Sequence, residues 1–105
     1  MFNKEVIKEI VYNTVPGDLI DQVILFGSRA RNEETSDSDT DICIIFKDEL
    51  SRDDIKRYRG ELNKVFAHDY KMPTDIIMKS KHVFNRYKGV VSGLEYNINK
   101  EGVIL

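Results

Sequence analysis

The sequence predicts an α/β fold in which a small sheet is backed by helices. Three observations predict it. Stretches with helical periodicity alternate with short β-rich runs, Pro and Gly residues separate them, and no internal repeat or low-complexity linker interrupts the chain. The 105 residues, 41% of them hydrophobic, are enough for a modest core. We therefore expect a single domain over residues 1–105.

The first half of the chain predicts one helix and two strands. Apolar residues recur at helical spacing over residues 3–14, and a Pro-Gly pair at 16–17 ends that helix. Residues 22–26 (QVILF) are a short β-rich run, and residues 41–47 (DICIIFK) form a second run without an interior breaker. The polar residues between them, 28–36, are typical of a short helix or turn.

The second half predicts two helices with a strand between them. The best-marked helix begins at Ser51, which has a capping-box-like pattern, and its apolar stripe continues to about residue 69. A third strand is expected over residues 74–79. Apolar spacing then predicts a last helix over residues 83–98, although two glycines weaken it. A short apolar run, residues 103–105, closes the chain.

Charge and composition narrow the class of protein. The net charge is -2 with no long run of one sign, so nothing indicates a surface that coats nucleic acid. The lone cysteine, Cys43, excludes an intramolecular disulfide, fits a reducing compartment and is expected to pack as a small apolar group. Neither a signal peptide nor a spanning segment is recognisable. We expect a soluble cytoplasmic protein.

Two carboxylates open the second predicted strand. Side chains alternate along a strand, so Asp39 and Asp41 would share one face at roughly 6–7 Å separation. Carboxylates so placed could hold divalent cations against phosphate oxygens. Gly27-Ser28 offers a tight turn with close backbone approach. A third carboxylate, Asp75, begins the third strand, and all three would converge if that strand lies beside the second.

These residues resemble the DNA polymerase beta-like nucleotidyltransferases, and most closely the minimal nucleotidyltransferases, the MNT or MntA-like antitoxins. The resemblance covers nearly the whole chain. The motifs that carry it are Gly27-Ser28, Ala30-Arg31, Ser38-Asp39-x-Asp41 and the strand residues Thr74-Asp75-Ile76-Ile77. It implies a mixed sheet with flanking helices, two Mg²⁺ ions and a nucleoside triphosphate, usually ATP.

The resemblance also assigns roles to residues. Asp39, Asp41 and Asp75 would be the catalytic carboxylates and metal ligands, and Gly27 with Ser28 the triphosphate-binding loop. Arg31 and Ser38, which belong to the same motifs, are further candidates for nucleotide contacts. Thr40 stands where relatives usually have an aliphatic residue, which predicts a less buried back face at that point.

The partner implied by the resemblance is a HEPN-domain toxin. Members of the family typically act as antitoxins that move AMP from ATP to a tyrosine hydroxyl of that toxin and release pyrophosphate. Neither membrane association nor direct nucleic-acid binding is expected. Two other functions stay open: a non-catalytic antitoxin that masks its partner by contact, and a nucleotidyltransferase for a small molecule such as an aminoglycoside. Which hydroxyl accepts the nucleotide is not encoded in these motifs.

The acidic run also permits readings without catalysis. Asp37, Asp39 and Asp41 have the spacing of a calcium-binding EF-hand loop, but Ile42 stands where that loop needs a sharply turning Gly. The run could otherwise be a solvated turn, and Asp75 alone could be a turn residue at a strand end. The combination of all these residues favours the nucleotidyl-transfer site.

Overall fold

Helices and strands are interspersed along the described part of the chain. The computed structural model describes residues 3–27 and 40–105. Its elements are, in chain order, α1 (Lys4–Thr14), a 3-10 turn (Gly17–Leu19), β1 (Ile20–Phe26), β2 (Thr40–Phe46), α2 (Arg52–Asn63), a π-helical continuation of α2 (Lys64–Asp69), β3 (Thr74–Ser80), α3 (Lys81–Tyr87), α4 (Leu94–Glu101) and β4 (Val103–Ile104).

The strands form one four-stranded sheet in the order β3-β2-β1-β4. β1 pairs antiparallel with β2 and with β4, whereas β2 and β3 are parallel. Parallel neighbours need a crossover connection, which α2 and its π-helical continuation provide. The sheet is therefore mixed and flanked by helices, which confirms the predicted fold class.

Each face of the sheet has its own apolar cluster. The first face packs against α1 and α2, and its fully buried residues include Val11, Leu25, Ile42, Leu62 and Phe66. The second face packs against α3 and α4 in a smaller cluster, made of Ile24, Cys43, Ile45, Phe84 and Ile98. Because side chains alternate along a strand, Ile42 and Cys43 of β2 belong to opposite clusters.

Side-chain caps fix where the helices begin. Asn3 precedes α1 and its Oδ1 accepts a hydrogen bond from the backbone N–H of Glu5 at 2.9 Å. Ser51 caps α2 through the N–H of Asp54 at 3.1 Å, and Ser80 caps α3 through the N–H of Val83 at 3.3 Å. Each cap satisfies one donor that the first helical turn leaves unpaired. No helix in the described ranges is long and apolar enough to span a bilayer.

Three sequence expectations are wrong in detail. The last helix is two helices, because α3 ends at Tyr87 and α4 begins only at Leu94. Residues 88–93 are not helical, and Gly93 holds the extended N-cap conformation, with φ -89° and ψ 157°, from which α4 begins. The first strand begins at Ile20, two residues earlier than predicted. Thr40, expected on a less buried back face, has a solvent exposure of 0% because it faces the larger cluster.

Candidate active site

The register of β2 and β3 brings two predicted carboxylates side by side. Asp41 is the direct partner of Asp75 in the parallel pair. Neighbouring strands lie about 4.8 Å apart, and paired residues of parallel strands point to the same face. The condition set by the sequence, that the third strand lies beside the second, is therefore met. Asp41 is half-buried and Asp75 is exposed, so this edge of the sheet faces solvent.

Gly27 lies directly under the carboxylate of Asp41. Its neighbour Phe26 pairs with Asp41 across the β1–β2 ladder. Gly27 itself has a φ of +78°, in the left-handed region that favours glycine. A Cβ at this position would overlap Oδ2 of Asp41 and would lie 3.2 Å from its Cγ. The glycine is thus required twice, for the turn and for the space that the carboxylate occupies.

The face behind the carboxylates is apolar and dry. Cys43 follows Asp41 on the same side of β2 and has a solvent exposure of 0%. Burial raises the pKa of its thiol to about 12, although the nearby Lys79 opposes part of that shift. The thiol is therefore neutral at physiological pH and is neither a nucleophile nor a ready metal ligand. This confirms the expectation that Cys43 packs as a small apolar group.

The donor chemistry at this edge suits a hard divalent cation. Asp41 and Asp75 present only carboxylate oxygens, which Mg²⁺ and similar ions prefer over nitrogen or sulfur. Within residues 3–27 and 40–105, no group of three or more His, Cys, Asp or Glu side chains is arranged to bind a metal ion. The paired carboxylates alone fit a shared metal that also takes phosphate oxygens or water.

The other predicted site residues cannot be placed against this pair. Asp39, Ser28, Arg31 and Ser38 all lie outside the described residues. Their proposed roles, and the helix or turn expected over residues 28–36, stay predictions. The structure brings together Gly27, Asp41 and Asp75.

Two features of the molecule escaped sequence reasoning. The contact between Gly27 and Asp41 depends on the β1–β2 register, although the glycine itself was marked by its motif. A polar concavity at the opposite end of the sheet is partly lined by Lys81 and Asn85 of α3 and by Lys88, the residue that caps its C-terminus. Their spacing of four and then three residues places them on one side of a helix, and this was the available signal.

The chain matches a model of a known protein family. The model described as a nucleotidyltransferase domain matches residues 4–104, nearly the whole chain. No curated protein matches the chain at significant similarity.

Solved structures extend the likeness to the fold. The chain is similar to a toxin–antitoxin crystal structure with AMP-PNP, at a TM-score of 0.64 and 19% identity over 98% of this chain and 72% of that one. A Sulfolobus solfataricus protein assigned as a nucleotidyltransferase gives 0.58 and 24%, over 96% and 73% of the two chains. A tri-AMPylated Shewanella oneidensis HEPN toxin in complex with MNT antitoxin gives 0.53 and 19%, over 95% and 66%.

Proposed function

Because the chain belongs to the nucleotidyltransferase domain family and has its polymerase beta-like fold, we propose that it is an enzymatic antitoxin. In this proposal it moves AMP from ATP to a hydroxyl group, a tyrosine, of a HEPN-domain toxin. The observation that supports it most is that Asp41 and Asp75 are paired on adjacent parallel strands. Gly27, which has no side chain, leaves room for the carboxylate of Asp41.

Asp39, Asp41 and Asp75 would hold two Mg²⁺ ions. When bound, such ions neutralise charge on the triphosphate. Gly27 and Ser28 would bind the triphosphate through the backbone, since a glycine turn lets phosphate oxygens approach N–H groups closely. Arg31 and Ser38 would add side-chain contacts to the nucleotide.

The transfer step is an in-line displacement at the α-phosphorus. The acceptor oxygen forms a bond to that phosphorus while the bond to the bridging oxygen of the β-phosphate breaks, so pyrophosphate leaves. Asp75 is exposed at the strand edge and would accept the proton of the acceptor hydroxyl. Cys43, the next residue on the same side of β2, is fully buried, and the partial burial of Asp41 beside it would strengthen the interaction of that carboxylate with cations.

Similar proteins support the choice of nucleotide and partner. One similar structure contains AMP-PNP and another contains an AMPylated HEPN toxin with its MNT antitoxin. By analogy, ATP is the proposed substrate and a HEPN toxin the proposed partner of this chain. We further propose that residues 1–105 act as one domain, in the cytoplasm, without binding membranes or nucleic acid directly.

The proposal is tested by incubating the protein with ATP, Mg²⁺ and its co-encoded HEPN partner, then measuring the intact mass of the partner. We expect a mass increase of one or more adenylyl groups, and no increase when a chelator removes divalent ions. Peptide mapping should assign the modification to a tyrosine. When the Asp41→Asn variant is tested in the same assay, its matched control is Asp48→Asn, because Asp48 is an exposed carboxylate beyond the opposite end of β2.

Two results would contradict it. Tight binding of the partner with unchanged mass indicates a masking antitoxin. Modification of an aminoglycoside, with no modification of the partner under the same conditions, indicates a small-molecule nucleotidyltransferase.

A further inference from the structure

A cavity of about 430 Å³ lies on the α3/α4 face of the sheet, away from the carboxylate pair. It includes Gln22 and Ile45, which pair with each other across β1 and β2. The pair Phe26 and Asp41 lies four residues further along β1, and four residues of strand span about 13 Å. The cavity is therefore at the opposite end of the sheet from the candidate active site.

The floor of this cavity is apolar. Ile24, Ile45, Phe84 and Ile98 line it, and all four belong to the buried cluster of this face. These side chains are only 0–4% exposed, so the polar rim provides most of the open lining. The volume is within the range of small-molecule sites, roughly 300–1,000 Å³.

Carboxamide side chains contribute to the rim. Gln22, Asn85 and Asn99 line the cavity from a strand and from two different helices. A carboxamide presents a donor and an acceptor together, which matches the amino group and ring nitrogen on the edge of a purine. Asp21 adds a carboxylate acceptor to the same rim.

Two lysines give the rim its positive charge. Lys81 is paired with Asp21, at 3.6 Å between Nζ and Oδ1. Lys88 lines the cavity too, and across residues 3–27 and 40–105 no carboxylate forms an ion pair with it. Its ammonium group is thus available for an anion carried by a ligand.

We propose that this cavity is a second ligand site, distinct from the carboxylate pair, and that it binds a purine nucleoside monophosphate. The base occupies the cavity with its polar edge against the carboxamides, and the phosphate contacts Lys88. Because Lys88 supplies a cation for the phosphate, we expect binding without a divalent ion.

The test is an NMR titration of ¹⁵N-labelled protein with AMP in EDTA, so that binding at the carboxylates through divalent ions is suppressed. We expect saturable shifts at Lys81, Asn85, Lys88 and Gly102, which line the cavity. Adenosine and ribose 5-phosphate, each lacking half of the ligand, should bind at least about tenfold more weakly. Asp41→Asn should leave the affinity for AMP unchanged, which separates this site from nucleotidyl transfer.

Charge reversal isolates the role of Lys88. Lys88→Glu should weaken AMP binding at least about tenfold, since it removes a charge-assisted contact to the phosphate and places a like charge beside it. Lys56→Glu is the matched control, because Lys56 is exposed on α2 on the opposite layer. Asn85→Leu should weaken AMP and leave ribose 5-phosphate unchanged. A thermal melt of each variant verifies folding.

Several results would overturn the inference. They are an absence of saturable shifts, shifts confined to Gly27, Asp41 and Asp75, equal binding of AMP and ribose 5-phosphate, or Lys88→Glu behaving like Lys56→Glu.

Discussion

The two faces of the sheet differ in what they hold, although the same strands supply both. On β2, Ile42 and Ile44 point to the α1/α2 face and are fully buried among apolar groups. The alternate residues Asp41 and Cys43 point to the α3/α4 face, where a carboxylate lies at the strand end and a thiol is buried behind it. Because side chains alternate along a strand, successive residues of β2 contribute in turn to the larger apolar core and to the face that holds the candidate active site.

The largest expected effect is a loss of nucleotidyl transfer caused by a change on the α3/α4 face alone. Asp41→Asn should reduce transfer to the partner by more than about a thousand-fold, because a carboxylate that holds a catalytic cation supports several kcal/mol of transition-state stabilisation. The fold should persist, with a melting temperature within a few degrees. Quantifying adenylylated partner by mass spectrometry measures the first quantity and circular dichroism the second. Wild-type transfer by this variant would exclude Asp41 from the site.

The next largest effect is a loss of stability caused by a change on the α1/α2 face alone. Leu62 has a solvent exposure of 0% in the larger cluster, so Leu62→Ala should lower the free energy of unfolding by about 2–5 kcal/mol. Transfer measured below the unfolding transition should stay close to wild type. The matched control is Leu94→Ala at a side chain exposed by 44%, expected to change stability by less than about 0.5 kcal/mol. A folded Leu62→Ala protein without transfer would contradict the separation of the faces.

Gly27→Ala should affect both properties. The left-handed conformation costs a residue with a Cβ about 1–2 kcal/mol, and the new methyl group displaces the carboxylate of Asp41. We expect a moderate loss of stability in denaturant unfolding and a loss of transfer that exceeds it. Gly60→Ala is the matched control, since its Cβ would meet nothing within 4 Å inside α2, and it should stabilise by about 0.5–1 kcal/mol. Full transfer by Gly27→Ala would refute the steric argument.

The buried thiol of Cys43, on the α3/α4 face, should make the stability of the protein depend on pH. Its pKa is raised from 9.0 to about 12 by burial, so above pH 9 the unfolded thiol ionises while the folded thiol stays neutral. The stability contributed by Cys43 is complete below pH 9 and is lost as the pH rises toward 12, by at most about 1.4 kcal/mol per pH unit. Denaturant unfolding of wild type and Cys43→Val between pH 8 and 11 isolates it. Parallel pH profiles of the two proteins would contradict it.

The smallest expected effect is a gain. The hydroxyl of Thr40 is buried and has no hydrogen-bond partner in the described part of the chain. Thr40→Val keeps the shape, removes that group and should raise the free energy of unfolding by about 1 kcal/mol, without changing transfer. Thr74→Val is the contrasting control, because the hydroxyl of Thr74 donates to the carbonyl of Met72 at 2.9 Å and its loss should destabilise. Destabilisation by Thr40→Val would show that its hydroxyl is paired.

Local patterns explain why most of the fold could be predicted. Alternation, helical periodicity and the cap at Ser51 are encoded in neighbouring residues, and the helices and strands predicted within the described ranges are present, the last helix as two. The division of the last helix was missed because apolar spacing continues through Val90 and Val91, although residues 88–93 are not helical.

The site depends on contacts that are distant in sequence. Asp41 and Asp75 belong to strands separated by a whole crossover helix, so their pairing could only be stated as a condition. The overlap that excludes a side chain at Gly27 follows from the register of β1 on β2, which no local signal specifies. The cavity near Lys88 is formed by two strands and two helices and is therefore invisible to a motif.

The position of the cation site can be measured without a partner protein. Titrating Mn²⁺ into ¹⁵N-labelled protein that holds a non-hydrolysable ATP analogue broadens resonances near the bound ion. We expect broadening centred on Gly27, Asp41 and Asp75, sparing residues near Asp48, and its loss in Asp41→Asn. Broadening centred elsewhere, or unchanged by Asp41→Asn, would contradict the claim that the paired strands β2 and β3 build the cation site.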